Sequence, residues 1–136
     1  PFIGKGNGGI MRNNGYITTG RTSEGENIDC RITQPSDDHI GVHIYAGYTD
    51  DPVFSIVLGD DTDNNVEGCT IDDLVDVLVG ATHSVQSRRI RILEDGDYIA
   101  FGKIEPDSFE YVSVWYRVNR YWMYNAICHI LRHSGK

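Results

Sequence analysis

The chain has 136 residues, of which 40% are hydrophobic, and a formal net charge of −8. This length is typical of a single domain, and the hydrophobic fraction excludes disorder over the whole chain. No apolar run approaches the roughly 18 residues that a membrane-spanning helix requires, so no membrane partner is expected.

The first nine residues predict a flexible leader ahead of a single domain at residues 10–136. They contain Gly4, Gly6, Gly8 and Gly9 in a formal G-x-G-x-x-G arrangement. Dinucleotide binding through that motif requires a strand before the glycines and a helix after them. Because a hairpin pattern follows instead, the sequence favours a leader over a nucleotide site.

Alternating apolar and polar residues predict the strands of the first half. Asn14–Gly15 accepts the positive φ angles of a tight hairpin turn. Residues 34–38 predict a loop because they combine a proline with turn-forming residues. The predicted strands are residues 10–12, 16–18, 28–33, 42–48 and 53–58.

Two amphipathic helices and a second group of strands complete the predicted fold. Thr70 is suited to cap the first helix. A stripe of Trp122, Ala126 and Ile130, with Met123 and Ile127 beside it, predicts a last helix over residues 120–133. Further strands are predicted from Arg88, over 98–104 and over 111–118. We therefore expect an α+β fold in the order strands, helix, strands, helix. It is mainly an antiparallel sheet of about seven strands with two amphipathic helices, and its halves suggest a loose repeat of a meander plus a helix.

Charge is distributed unevenly along the chain. Residues 32–87 contain no Lys or Arg and carry eleven acidic residues. Such a field attracts cations or basic proteins and repels nucleic acid. The predicted partner-binding residues are Asp37, Asp38, Asp50, Asp51, Asp60, Asp61, Asp63 and Glu67.

This acidic region favours a non-enzymatic binding or inhibitor protein that blocks a basic or nucleic-acid-handling protein, without direct contact to nucleic acid. In composition the chain resembles small acidic immunity proteins and the anti-restriction and anti-CRISPR proteins of phages. The resemblance implies an anti-defence or immunity role in the cytoplasm, which is the host cytoplasm if the protein is viral. The alternative interpretation is a solvated surface that maintains solubility.

No metal site or cofactor is predicted. Five oxygen-bearing residues occupy places 1, 3, 5, 7 and 12 of an EF-hand-like spacing, namely Asp61, Asp63, Asn65, Glu67 and Asp72. Val66 stands where the sharp turn of a calcium loop requires glycine. The three cysteines, Cys30, Cys69 and Cys128, are too far apart for a disulfide framework or a zinc site and predict reduced thiols.

A dense aromatic group near the C-terminus predicts an alternative function. Aromatic rings and arginines together can stack and neutralise a nucleotide or phosphate ligand. The candidate ligand-binding residues are Trp115, Tyr116, Arg117, Arg120 and Tyr121. Packing of the last strand on the last helix explains the same residues without a ligand. An exposed edge at Tyr121 and Tyr124 would suit a homodimer seam.

No catalytic residue is predicted, and one histidine keeps an enzymatic alternative open. His43 shares a strand face with Tyr45, and a carboxylate from Asp50 or Asp51 would complete an acid–base site for a hydrolase. A half-exposed strand histidine is the simpler interpretation.

Overall fold

The computed structural model describes residues 16–47, 49–59, 68–104 and 112–132. The first half contains β1 (Tyr16–Arg21), β2 (Asn27–Ser36), β3 (His39–Ala46), β4 (Phe54–Gly59) and α1 (Ile71–Leu78). The second half contains β5 (Ser84–Gln86), β6 (Ile90–Asp95), β7 (Tyr98–Ile104), β8 (Val112–Asn119) and α2 (Arg120–Arg132). The predicted leader and the predicted strand at 10–12 lie outside the described residues. Neither helix in these ranges has the length and apolar character needed to cross a membrane.

The eight strands form one antiparallel sheet in the order β4-β3-β2-β1-β8-β7-β6-β5. Each half is a meander in which consecutive strands pair, and the halves join where β1 pairs with β8. The predicted α+β class is confirmed. The strand count is not, because the described residues form eight strands where about seven were expected.

Two local predictions are wrong. The predicted loop at 34–38 is shorter, because β2 continues to Ser36 through Pro35. The ladder between β2 and β3 shifts its register between Thr33 and Ser36, and such a bulge tolerates a residue that has no N–H to donate. The sequence predicts no strand before Arg88 in the second half, yet β5 lies at Ser84–Gln86. Its three residues are too few for alternation to show.

The sheet curls strongly around its core. Phe54 on β4 stacks on Tyr116 of β8 with ring centroids 5.5 Å apart. These strands are four positions apart in the sheet, which corresponds to roughly 19 Å in a flat sheet at about 4.8 Å per strand. The contact requires the concave face to close on itself, and this closure buries Tyr116 to 8% exposure.

The cap of α1 matches the prediction, and the buried face of α2 matches it in part. Thr70 caps α1 as predicted, because its hydroxyl accepts a hydrogen bond from the Asp73 N–H at 3.0 Å. In α2 the buried residues are Met123, Ile127 and Ile130. Of the predicted stripe, Ile130 is buried and Ala126 packs against the core, whereas the placement of Trp122 is wrong because its side chain is 61% exposed.

The junction between the halves is short. The paired residues are Gly20 with Val118 and Arg21 with Arg117. Gly20 permits this approach because an added Cβ would overlap the main-chain oxygen of Arg117. Strand β8 then ends at Asn119, and α2 continues beside the earlier part of β1, where the His129 ring meets the ring of Tyr16 edge-on at 5.1 Å.

Candidate functional site

The predicted acidic surface is divided by strand β3. Asp37 and Asp38 form the turn before β3, and Asp50 and Asp51 lie in the connection after it. Strand β3 has eight residues, so the two pairs are separated by roughly 26 Å at about 3.3 Å per residue. The structure therefore does not bring these four carboxylates together. The predicted residues Asp60, Asp61, Asp63 and Glu67 lie outside the described residues.

The start of α1 lies at the end of the sheet that carries Asp37 and Asp38. Gly59, the last residue of β4, pairs with His39 and also forms a bridge with Thr70. A Cβ at Gly59 would lie 3.6 Å from the main-chain oxygen of Asp38. Because α1 begins directly after Thr70, its first-turn carboxylates lie at this end too. We call the group Asp37, Asp38, Asp72 and Asp73 the acidic end.

Hydrogen bonds hold the Asp38 carboxylate in its charged form. Asp38 Oδ1 accepts from the Ser36 hydroxyl at 3.1 Å and lies 2.8 Å from His39 Nδ1. The hydrogen bond from Ser36, followed by that from His39, lowers the pKa of Asp38. The His39 ring fits because Gly59 has no side chain, since a Cβ there would lie 2.7 Å from the ring. These contacts favour the charged form of the Asp38 carboxylate.

Two arginines lie near the point where the chain returns to the acidic end. A Cβ at Gly68 would lie 3.7 Å from the Cβ of Ser87. Arg88 and Arg89 follow Ser87 and line an open depression together with Gly68. The acidic end therefore has a basic border on the side of the second half.

The five predicted ligand-binding residues do not form one site. Tyr116 lies in the core against Phe54, whereas its strand neighbours Trp115 and Arg117 point to the opposite face, as alternation requires. Arg120 and Tyr121 begin α2, with the guanidinium 5.5 Å from the centre of the Tyr121 ring.

Ion pairs to strand β6 further reduce the case for a ligand at these arginines. Arg117 donates to Asp95 at 2.7 Å, and Arg120 donates to Glu94. The hydrogen bond from Arg120 is the largest cause of a lowered pKa at Glu94. Acid and base are 22 and 26 residues apart in the chain, so no local pattern could have shown these pairs. Both arginines already have a carboxylate partner.

The His43 ring lies between two hydroxyl groups. Its Nδ1 lies 2.8 Å from the Ser55 hydroxyl, and its Nε2 lies 3.1 Å from the Thr33 hydroxyl. Burial, and then the charge of Arg31, lower the pKa of His43. Tyr45 instead contacts Arg31, whose guanidinium carbon lies 4.9 Å from the ring centre. The acid–base site that the sequence left open, with Tyr45 and a carboxylate, is not assembled.

Sequence reasoning missed a cleft beside the junction of the two halves. It has a volume of about 610 Å³ and lies between β1, the start of β2, the β7 and β8 ends and the start of α2. Arg21, Asp29, Tyr98, Asn119 and Trp122 are among the residues that line it. The cleft exists because β8 ends before β1 does, which is a matter of register between distant strands.

No metal centre is formed by the described residues, in which no group of three or more His, Cys, Asp or Glu side chains could hold an ion. Four of the five EF-hand-like positions lie outside them, and Asp72 lies in the first turn of α1. Cys30 and Cys69 are buried free thiols, and Cys128 is half-buried and free. Burial raises the pKa of the Cys30 thiol to about 12, so that thiol is inert.

No known protein family, curated protein or solved structure matches the chain. Function must therefore be inferred from the chemistry and positions of its own residues. The two candidate binding surfaces are the acidic end and the cleft beside the junction.

Proposed function

We propose that the protein is a non-enzymatic binding protein whose acidic end docks on a basic surface of another protein. The observation that supports this most directly is the register of the sheet. It places Asp38, Gly59 and Thr70 side by side, although they are 11 to 32 residues apart in the chain. Carboxylates from a strand turn and from a helix start thereby share one end of the molecule.

The local sequence strengthens the field of this end. Residues 32–87, which include the whole acidic end, contain no Lys or Arg. Carboxylates of one sign raise the local potential and accelerate encounter with an oppositely charged protein. Arg88 and Arg89 limit this field on the side of the second half. Nucleases and other nucleic-acid-handling proteins carry such basic surfaces because they bind phosphates. An inhibitor of such a protein, of the anti-defence or immunity kind, is the function that we propose.

Asp50 and Asp51 do not belong to this docking surface. They have the same residue types as Asp37 and Asp38, they also occupy an exposed connection, and they lie at the other end of β3. The chain therefore contains its own matched control for the position of charge.

The test compares two charge reversals. In one variant Asp37 and Asp38 become Lys, and in the other Asp50 and Asp51 become Lys. Each Asp→Lys change adds two charges, so both variants move from a net charge of −8 to −4. Proteins captured from a host lysate at low ionic strength are purified, and the association rate constant of each is measured with the wild type and both variants.

We expect reversal at Asp37 and Asp38 to lower the association rate constant at least about tenfold at low salt. Reversal at Asp50 and Asp51 should change it far less, and added salt should reduce the difference. Circular dichroism and thermal unfolding confirm that both variants fold. Equal effects of the two reversals, or no effect of either, would overturn the proposal.

A further inference from the structure

The cleft beside the junction has the size and accessibility of a small-ligand site. Its volume of about 610 Å³ lies within the roughly 300–1,000 Å³ of typical ligand pockets. The unequal ends of β1 and β8 create it, and no described side chain fills it. The cleft is also remote from the acidic end. Asn27, which lines the cleft, lies at the start of β2, and the ten residues of that strand separate Asn27 from Asp37 by roughly 30 Å.

Two aromatic rings line the cleft from different elements. Trp122 comes from the first turn of α2 and is 61% exposed, and Tyr98 comes from the start of β7 and is 42% exposed. No ring contact joins them to each other in the described part of the chain. Aromatic rings exposed in a cleft offer flat apolar faces on which another planar group can stack. A planar group that stacks on them would remove both from water.

The floor of the cleft supplies an unusual positive charge. Arg21, in β1, stands directly opposite Arg117 in β8, and like charges in directly opposed positions destabilise a strand pair. Arg117 is compensated by Asp95, whereas Arg21 has no ion-pair partner among the described residues. An anionic group bound at Arg21 would relieve this repulsion.

Polar groups of the cleft supply both hydrogen-bond donors and hydrogen-bond acceptors. Asn119 Oδ1 accepts from the main-chain N–H groups of Tyr121 and Trp122 at 3.0 Å each. This cap fixes the Asn119 side chain and leaves its amide N–H groups to donate to a ligand. Asp29 contributes a carboxylate, which accepts hydrogen bonds from hydroxyl groups such as those of a ribose.

We propose that this cleft binds a free nucleotide. The base stacks on Trp122 and Tyr98, Arg21 binds the phosphate, Asn119 donates to the base edge and Asp29 accepts from the sugar. The acidic end does not oppose this binding, because charges roughly 30 Å away are screened at a physiological Debye length of about 8 Å. A long polyanion would meet the acidic surface, so the ligand is a mononucleotide rather than a nucleic-acid strand.

The test uses adenosine, guanosine, cytidine and uridine monophosphates and the matching nucleosides. Replacement of Trp115 by Phe leaves Trp122 as the sole tryptophan, so quenching of its fluorescence reports stacking. Isothermal calorimetry measures the same affinities without depending on Trp122. We expect at least one monophosphate to bind saturably, and its nucleoside to bind about tenfold or more weakly because it lacks the contact with Arg21.

Two pairs of variants separate the cleft from general surface effects. Trp122→Ala should weaken binding at least about tenfold, whereas Tyr121→Ala removes a neighbouring ring of 57% exposure that does not line the cleft. Arg21→Ala should reduce the affinity for the monophosphate to that for the nucleoside, and Arg91→Ala is its control. An oligonucleotide should bind no more tightly than the mononucleotide.

Several outcomes would overturn this inference. One is that no monophosphate binds saturably at millimolar concentration. A second is that neither Trp122→Ala nor Arg21→Ala changes the affinity. A third is that the control variants lose as much affinity as the cleft variants. Tighter binding of the oligonucleotide would overturn the assignment to free nucleotides. None of these results bears on the acidic end, because the two surfaces are tested by different variants.

Discussion

Replacing Gly20 by Ala should separate the two halves of the sheet. The added Cβ would overlap the main-chain oxygen of Arg117. Among the described residues, two pairs join β1 to β8, namely Gly20 with Val118 and Arg21 with Arg117. Relief of the overlap would cost about two hydrogen bonds at about 1 kcal/mol each, and residual strain would add about 1–3 kcal/mol. We therefore expect the free energy of unfolding to fall by about 3–5 kcal/mol.

Urea unfolding monitored by tryptophan fluorescence measures this loss. With a denaturant slope of about 2 kcal/mol/M, the midpoint should fall by roughly 2 M. Thr19→Ala, at an exposed position of the same strand, should change the stability by less than about 0.5 kcal/mol. Gly25→Ala meets nothing within 4 Å and has a φ of 88°, so only backbone strain of about 1–2 kcal/mol is expected. A loss at Gly20 no larger than that at Gly25 would refute the close approach of β1 and β8.

Three further predictions concern individual side chains. Met123→Ala should lower the free energy of unfolding by about 2–5 kcal/mol because Met123 is fully buried. Trp122→Ala should lower it by less than about 1 kcal/mol because Trp122 is exposed. Urea unfolding of both variants tests which face of α2 is buried. The pKa of His43 is lowered from 6.5 in the fold. The contribution of His43 to stability is therefore complete above pH 6.5 and declines as the pH falls below it. His43→Gln should flatten this decline, which is measured by unfolding curves at a series of pH values. Ellman's reagent should titrate Cys128 in the native protein but Cys30, which is fully buried, only on unfolding.

Features that depend on neighbouring residues were predictable from the sequence. Alternation in β3 and β8 fixed which residues face the core, because side chains of a strand alternate by geometry. The cap at Thr70 followed from residue types within one helical turn. Trp122 shows where this reasoning ends. The sequence places Met123 and Ile127 beside the predicted stripe. Only the position of α2 against β1 and β8 decides that the buried face is centred on these two residues and not on Trp122.

The functional surfaces depend on pairing between distant residues, and sequence reasoning handled them less well. One signal was available and unused: Asp37–Asp38 and Asp50–Asp51 flank a single predicted strand, and the two ends of a strand cannot meet. The pairs Arg117–Asp95 and Arg120–Glu94 gave no such signal, since their contact follows from the order of β6, β7 and β8 in the sheet. The cleft was equally hidden, because it arises from the unequal ends of β1 and β8.

The junction between β1 and β8 also has a consequence for the outer edges of the sheet. Each half has the same order of four strands and a helix, so β5 corresponds to β1 and β4 corresponds to β8. The pairing that joins the halves, repeated outward, would attach β4 of one molecule to β5 of the next, which is a head-to-tail contact that closes into a ring or extends into a filament. Strand β5 has only three residues, and so short an edge offers too few main-chain groups to template such growth. An insertion that lengthened β5 would supply the main-chain groups that this edge-to-edge pairing requires.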